Sequence, residues 1–448
     1  MPSQTATKPQ SFETSSKMRQ RAHQIIPGGA HTYAKGDDQY PADAPGFIAR
    51  GKGCHVWDVD GNKFIEYGMG LRAVTLGHAD ERVNAAAAKQ MELGNNFVRP
   101  AALEVEAAEK MLELIPSAEM VKFAKNGSDA TTAAIKLARA YTGRWLVGVC
   151  TTQPFFSVDD WFIGLTDMDS GIPQTTKAGV AGFAYNDLDS VRELFASRPG
   201  EVACLMLEAA RNEHPEPGFL EGVQKLCREH GALLILDEMI TGFHWHNGGA
   251  QSYYGLEPDL STFGKGMANG FSVSALLGKR EVMELGGLHH DKERVFLLST
   301  THGAEGPALA AALATMKRFQ EEDVIGHFWR QGKALQEGIT QLASAHNVSE
   351  YFGTVGLECN LAYFTRDPEG NPSQPYRTLF LQELIKRGVL APSLVVSYSH
   401  TDEVIAQTLD IIDEALAVYK QAIEHGSVEG YLVGRPVQPV FRRFNGEV

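Results

Sequence analysis

Apolar residues from Glu13 to Ile25 recur at helical spacing, and Pro27-Gly28-Gly29 predicts where that helix stops. HVWDVDGNKFIEY then alternates apolar and polar positions on both sides of Asp60-Gly61, the pattern of a hairpin. Two amphipathic helices are expected next, at about residues 80–93 and 102–114. From there to about residue 318, short apolar runs alternate with helical ones. They are VKFAKN and a helix to Thr142, WLVGVC, VACLMLE and a helix to His230, then ALLILDE. Strands separated by helices predict an α/β fold with a mainly parallel central sheet covered on both faces. Beyond residue 322 long amphipathic helices mix with short strands such as ECNLAYF, which predicts a smaller α+β unit. The expected division is an N-terminal arm, helix and hairpin over 1–75 that joins the small domain, a large domain over 76–321, and the small C-terminal domain over 322–448. No internal repeat is visible.

In parallel α/β sheets, ligands bind beyond the carboxyl ends of the strands. Three such ends carry chemistry here. VKFAKNGSDATTAAIKLARA is a strand, an Asn-Gly-Ser turn and a helix start, in which Gly127 lets a ligand approach and Ser128 offers a hydroxyl. Read alone, it is an ordinary helix cap. ALLILDEM drives an apolar strand into Asp237-Glu238, where a buried carboxylate calls for a cationic partner. Read alone, that is a structural salt bridge. STFGKGMANG sets Lys265 between Gly264 and Gly266, although a lysine needs no cleared space to reach water. Read alone, it is a loop lysine.

Taken together and in this order, the three fit one ligand, pyridoxal 5′-phosphate. Its phosphate suits the helix start, its pyridine nitrogen needs a carboxylate to stay protonated, and its aldehyde condenses with a lysine amine. A carboxylate about 4 Å from that cation stabilises it by roughly 4 kcal/mol at an effective dielectric of about 20.

Composition narrows the class further. A chain of 448 residues is too long for one core. The formal charge of −14 argues against nucleic acid or an anionic membrane as partner. The Arg435, Arg442 and Arg443 cluster reads as a solvated tail or a contact surface. The longest apolar runs are strand-sized, and the polar start reads as an arm instead of a signal peptide. Five scattered cysteines without C-x-x-C spacing predict reduced thiols and a cytoplasmic location. His244-Trp-His246 and His289-His290 lack H-E-x-x-H spacing, so no metal site and no metal hydrolase is expected. G-x-x-x-x-G-K-[ST] is absent, which removes the nucleotide-binding reading of GKG.

With these residues on the page, LMLEAARNEHPEPGFLEGVQKLCREHGALLILDEMITGF and PDLSTFGKGMANGFSVSALLGKREVM resemble the class III pyridoxal-phosphate aminotransferases, in their glutamate-1-semialdehyde 2,1-aminomutase-like branch. The likeness runs from about residue 27 to 422 and includes IPGGAHTY and STTHGAEGPALAAALA. It implies fold type I, a large domain with a smaller one, and a homodimer with shared active sites. By this likeness Lys265 is the Schiff-base lysine and proton carrier, and Asp237 pairs with the ring nitrogen. Gly127 and Ser128 hold the phosphate, Met239 packs on the ring face and Glu208 lies near the ring hydroxyl. Thr300, with Thr301 as the fallback, contacts the phosphate from the neighbouring subunit. Asp129 sits where a glutamate is usual and gains no role from the likeness.

The chain also departs from the family. QPFFSVDDWFIG stands where Gly-Tyr-His-Gly is usual, so Phe155 is expected to stack on the cofactor while Phe156 replaces a polar group. His244 stands where arginine is common. GGAHTYAKGDD replaces the substrate-binding arginine region, leaving His31, Tyr33 and Lys35 as substrate candidates together with Trp161. The activity implied is amino transfer between a small-molecule amino donor and a carbonyl acceptor. An aminomutase, an epimerase and a catalytically silent relative use the same residues.

Overall fold

Seven strands build the sheet that positions the site: β1 (Met120–Ala124), β2 (Leu146–Cys150), β3 (Val180–Phe183), β4 (Val202–Leu207), β5 (Leu233–Asp237), β6 (Leu260–Phe263) and β7 (Ser274–Gly278). The computed structural model describes residues 11–445, so the first ten residues of the polar start, MPSQTATKPQ, lie outside the described residues. The spatial order is β1-β7-β6-β5-β4-β2-β3. All neighbours are parallel except β7, which runs antiparallel to both β6 and β1. Two reversals restore direction, so β1, β4, β5 and β6 all end at the same edge. Every residue of β2, β4, β5, β6 and β7 is buried. That is why β2, β4 and, as far as Leu236, β5 read as unbroken apolar runs instead of alternating ones. Each leucine so enclosed contributes about 1.5–3 kcal/mol.

Helices Gly127–Thr142 and Phe219–His230 pack against the sheet, and Gly306–Glu321 packs on Glu81–Leu93. Among the described residues, 72–75, 81–325 and 441–445 form one compact unit. A second unit takes 11–71, 76–80 and 326–440. In that second unit Ile48–Lys52, His55–Asp58 and Lys63–Glu66 form an antiparallel meander, extended by Val389–Leu390 in parallel. The helix Glu13–Ile25 begins without a capping side chain of its own. Asp60, in the hairpin turn, supplies the cap by accepting from Thr14 N at 2.6 Å and Ser15 N at 2.8 Å. ECNLAYF is only half strand: Glu358–Asn360 is a 3₁₀ turn and the strand starts at Ala362. Gly332 packs directly against this turn, where a Cβ would collide with the Glu358 carbonyl. Long helices Val324–Ala345 and Asp402–His425 follow, and no helix among the described residues is long and apolar enough to cross a membrane.

Candidate active site

The edge where β1, β4, β5 and β6 end gathers the charged groups of the larger unit. β5 delivers two adjacent carboxylates, and strand alternation sends them opposite ways. Glu238, 1% exposed, accepts from Ala250 N at 2.8 Å, Gln251 N at 2.7 Å and the Thr241 hydroxyl, which caps the helix Gly249–Tyr254. Its role is structural. Asp237, 3% exposed, accepts from Met239 N at 2.9 Å and Thr262 Oγ1 at 3.1 Å, both at Oδ1. Its Oδ2 accepts no hydrogen bond from the described residues. Burial, reinforced by the neighbouring Glu208 charge and opposed by Lys265, pushes the Asp237 carboxyl up to about 7.

Glu208 follows β4. Gln153 clamps its backbone from both sides, accepting from Glu208 N at 2.8 Å and donating to Glu208 O at 2.7 Å. Arg211 Nη1 donates to Glu208 Oε1 at 2.8 Å, while Glu208 Oε2 is buried without a partner. Two carboxylate oxygens at one edge, Asp237 Oδ2 and Glu208 Oε2, thus lack donors, a costly arrangement for a stable fold unless a ligand answers it.

Lys265 leaves β6 with φ 41°, a left-handed conformation that lysine rarely adopts. Burial depresses the basicity of its amine, with Arg211 and Arg72 adding to the effect and Asp237 and Glu208 opposing it. The small residues around it are needed where they stand. A Cβ on Gly264 would come within 2.7 Å of Met239 Sδ, and one on Gly266 within 2.7 Å of Thr75 Cγ2. Thr75 Oγ1 also donates to Gly266 O at 3.1 Å, which ties residues 72–75 alongside the lysine loop.

At the end of β1 a capping box opens the helix Gly127–Thr142: Asn126 Oδ1 accepts from Asp129 N, and Asp129 Oδ2 accepts from Asn126 N and Lys125 N. Asp129 is therefore a positioning residue of the turn. A Cβ on Gly127 would stand 3.0 Å from Met239 Sδ, and Ser128 Oγ accepts from Val158 N at 2.9 Å, leaving its proton to donate. A phosphate cradle, an acceptor for a cationic nitrogen and an amine of lowered basicity occur in one unit, and these residues fit pyridoxal 5′-phosphate.

The other candidates are placed as follows. Phe155 is 41% exposed and edge-on to Phe162, whereas Phe156 is buried with its carbonyl on Thr131 Oγ1. Trp161 is buried, and its indole N–H donates to Thr132 Oγ1 at 2.8 Å. Thr300 and Thr301 are exposed on a loop whose Thr301 carbonyl accepts from Asn96. His244 is buried and held down to about 4 by burial, hence neutral at pH 7. In the other unit, His31 and Lys35 line a cavity of about 450 Å³ with Arg19, Tyr40 and Glu66, and Tyr33 is 67% exposed outside its wall. Among the described residues no His, Cys, Asp or Glu cluster could hold a metal ion.

Four residues at this edge escape the sequence reading: Gln153, Thr262, Arg72 and Arg211. Arg211 had a signal, since it lies three residues past a strand-end glutamate. Arg72 had none. It closes a run of positive φ angles, Met69 42°, Gly70 58°, Leu71 58° and Arg72 71°, that nothing in GMGLRAV announces. Each non-glycine residue in that run costs about 1–3 kcal/mol.

The profile of the class III aminotransferases matches residues 35–416. The glutamate-1-semialdehyde 2,1-aminomutase of Chloroflexus aggregans is 34% identical over 88% of this chain and 96% of its own. The 3-aminobutyryl-CoA aminotransferase of Cloacimonas acidaminovorans is 30% identical over 90% of this chain and 97% of its own. Among solved structures, the pyridoxal-phosphate form of the FumI protein from Sphingopyxis sp. superposes with a TM-score of 0.84 at 27% identity, covering 92% of this chain and 97% of that one. The shared architecture is fold type I, with its large central sheet of mostly parallel strands. By sequence and by structure, the chain belongs to the class III aminotransferases, enzymes that depend on pyridoxal 5′-phosphate.

Proposed function

We propose that this enzyme moves an amino group from a small-molecule amine donor to a carbonyl acceptor, with Lys265 as the residue that anchors the cofactor and carries the proton. The observation that supports this most directly is the Lys265 amine, lowered in basicity and flanked by two buried carboxylates that each keep one oxygen without a donor. Bound pyridoxal 5′-phosphate supplies the electron sink that makes a proton on the amine-bearing carbon removable. The protein's part is positioning and proton handling. Asp237 Oδ2 holds a cationic ring nitrogen, and Thr262 and Met239 N fix the orientation of that carboxylate. The turn at Gly127 and Ser128 holds the phosphate against free amides. Lys265, whose amine is made less basic by burial, would accept the carbon-bound proton and hold it on Nζ for return. Thr300, exposed on its loop, serves the phosphate of a second copy of the chain in a homodimer with shared sites.

An intramolecular version, in which amine and carbonyl belong to one molecule, uses the same residues and is favoured by the 34% identity to the Chloroflexus aggregans aminomutase. One absorbance experiment tests both. Lys265→Ala should lose the visible band of the bound cofactor, and a band identical to the parent's would reject the assignment. In the parent protein, a panel of amines that bleaches the visible band towards the near ultraviolet and releases a carbonyl product supports transfer. A band that persists with every donor favours the mutase.

A further inference from the structure

We propose that Gln153 is a positioning residue: its side-chain amide adds one rung to the large sheet and so fixes the direction in which the Glu208 carboxylate enters the site. The proposal rests on the reading of Lys265 as the residue that anchors the cofactor, and it assigns a role to a glutamine that no pattern in the sequence marks.

Strand β4 outruns its neighbour. The last register pair of β2 and β4 is Val149 with Met206, and beyond Cys150 the chain turns, with Gln153 N donating to Cys150 O at 3.3 Å. Glu208, buried at 2% exposure, therefore meets no strand on that side. Its main-chain N–H and C=O still need partners. The Gln153 amide takes the place of the missing peptide group, since Oε1 accepts from Glu208 N at 2.8 Å and Nε2 donates to Glu208 O at 2.7 Å. Both groups of one residue are held by one plane, as a neighbouring parallel strand would hold them.

Holding this main chain decides the side chain, because a residue kept in strand geometry projects to one face only. On the other side, β4 and β5 stay in register as far as Leu207 with Leu236, so Glu208 falls beside Asp237. Arg211 Nη1 occupies Glu208 Oε1 at 2.8 Å, and Oε2 is left buried without a donor. The Glu208 charge acts on both Asp237 and Lys265. Without the rung, the Glu208 main chain would turn to find other partners and carry the carboxylate away from Asp237.

The test uses Gln153→Met, which matches glutamine in length but carries no amide, and a cavity of about 230 Å³ beside Gln153 gives it room. Hydrogen exchange of the Glu208 amide in the full chain should quicken about tenfold, with the amides of β4 unchanged. In the cofactor-loaded protein, the pH midpoint of the visible band should move by about half a unit or more, in the direction that Glu208→Gln moves it. In a band that does not titrate, the wavelength should move instead. The double variant should match Glu208→Gln alone, because a residue that acts through Glu208 then has nothing left to act on. Tyr376→Phe loses a buried hydrogen bond in the other unit, so it controls for general loosening and should keep the parent's band. Gln153→Asn, with the amide on a shorter stem, serves where the methionine variant does not fold and should shift the band the same way. A parent-like band in a folded Gln153 variant would overturn the proposal. So would a band that ignores Glu208→Gln, shifts that add in the double variant, or unchanged exchange at Glu208. A parent without a visible band would reject the reading of Lys265 instead, and exchange would then decide alone whether Gln153 holds Glu208.

Discussion

Asp237 carries a charge problem that only a ligand resolves. In the folded chain its carboxyl keeps its proton up to about 7, while in an unfolded chain it ionises near 3.8. Between those values the native state binds more protons, so this residue's contribution to stability is fully present below about pH 4 and is lost as pH rises to 7. The loss amounts to at most about 4 kcal/mol, from roughly 1.4 kcal/mol per pH unit. Asp237→Asn keeps the Oδ1 acceptor for Met239 N and Thr262 Oγ1 but cannot ionise. Urea unfolding of the two cofactor-free proteins from pH 4 to 8 should therefore show the variant gaining on the parent as pH rises. Parallel pH profiles would mean that Asp237 is already ionised and paired. With cofactor loaded, a cation opposite Oδ2 favours the carboxylate and should flatten the parent's slope.

At the scale of elements, the start of the helix Gly127–Thr142 joins stability to cofactor retention. The capping box uses Asn126 and Asp129 reciprocally, and the same turn directs the amides of Gly127 and Ser128. Asn126→Ala should lower unfolding stability by about 1 kcal/mol. It should also speed loss of the cofactor's visible absorbance on dialysis several-fold. Parent-like retention in a destabilised variant would remove the phosphate from this turn. Strand β5 makes the complementary point, since one residue of register separates Asp237 at the site from Glu238 in a helix cap.

For the whole molecule, the exposed Thr300 loop ties the chemistry to assembly. If Thr300 serves the site of a second copy, Lys265→Ala and Thr300→Ala are each defective alone but repair one another in a mixed dimer. There, one site joins an intact Lys265 to an intact Thr300. Random mixing of equal amounts should restore about a quarter of the parent's activity, because half the dimers are mixed and each holds one whole site. Activity no higher than the sum of the separate variants would confine Thr300 to its own subunit or remove its role.

By itself the sequence determined the elements and the axis of the site. Helix Glu13–Ile25, the hairpin around Asp60-Gly61 and the buried strands are local patterns of period and turn chemistry, and they fold as they read. Gly127, Asp237 and Lys265 stood out as candidates in the sequence because each ends a strand or starts a helix, and a parallel sheet must bring such ends to one edge. Antiparallel β7 was not legible, since Ser274–Gly278 is as buried as the parallel strands of the sheet and only pairing sets direction. Nor was the division of labour between Asp237 and Glu238, which depends on which face the sheet turns towards the helix Gly249–Tyr254. The tertiary structure alone decided that Thr75, far away in sequence, donates to Gly266 O next to Lys265. Groups at long sequence separation meet only through packing, and no local pattern along the chain records that.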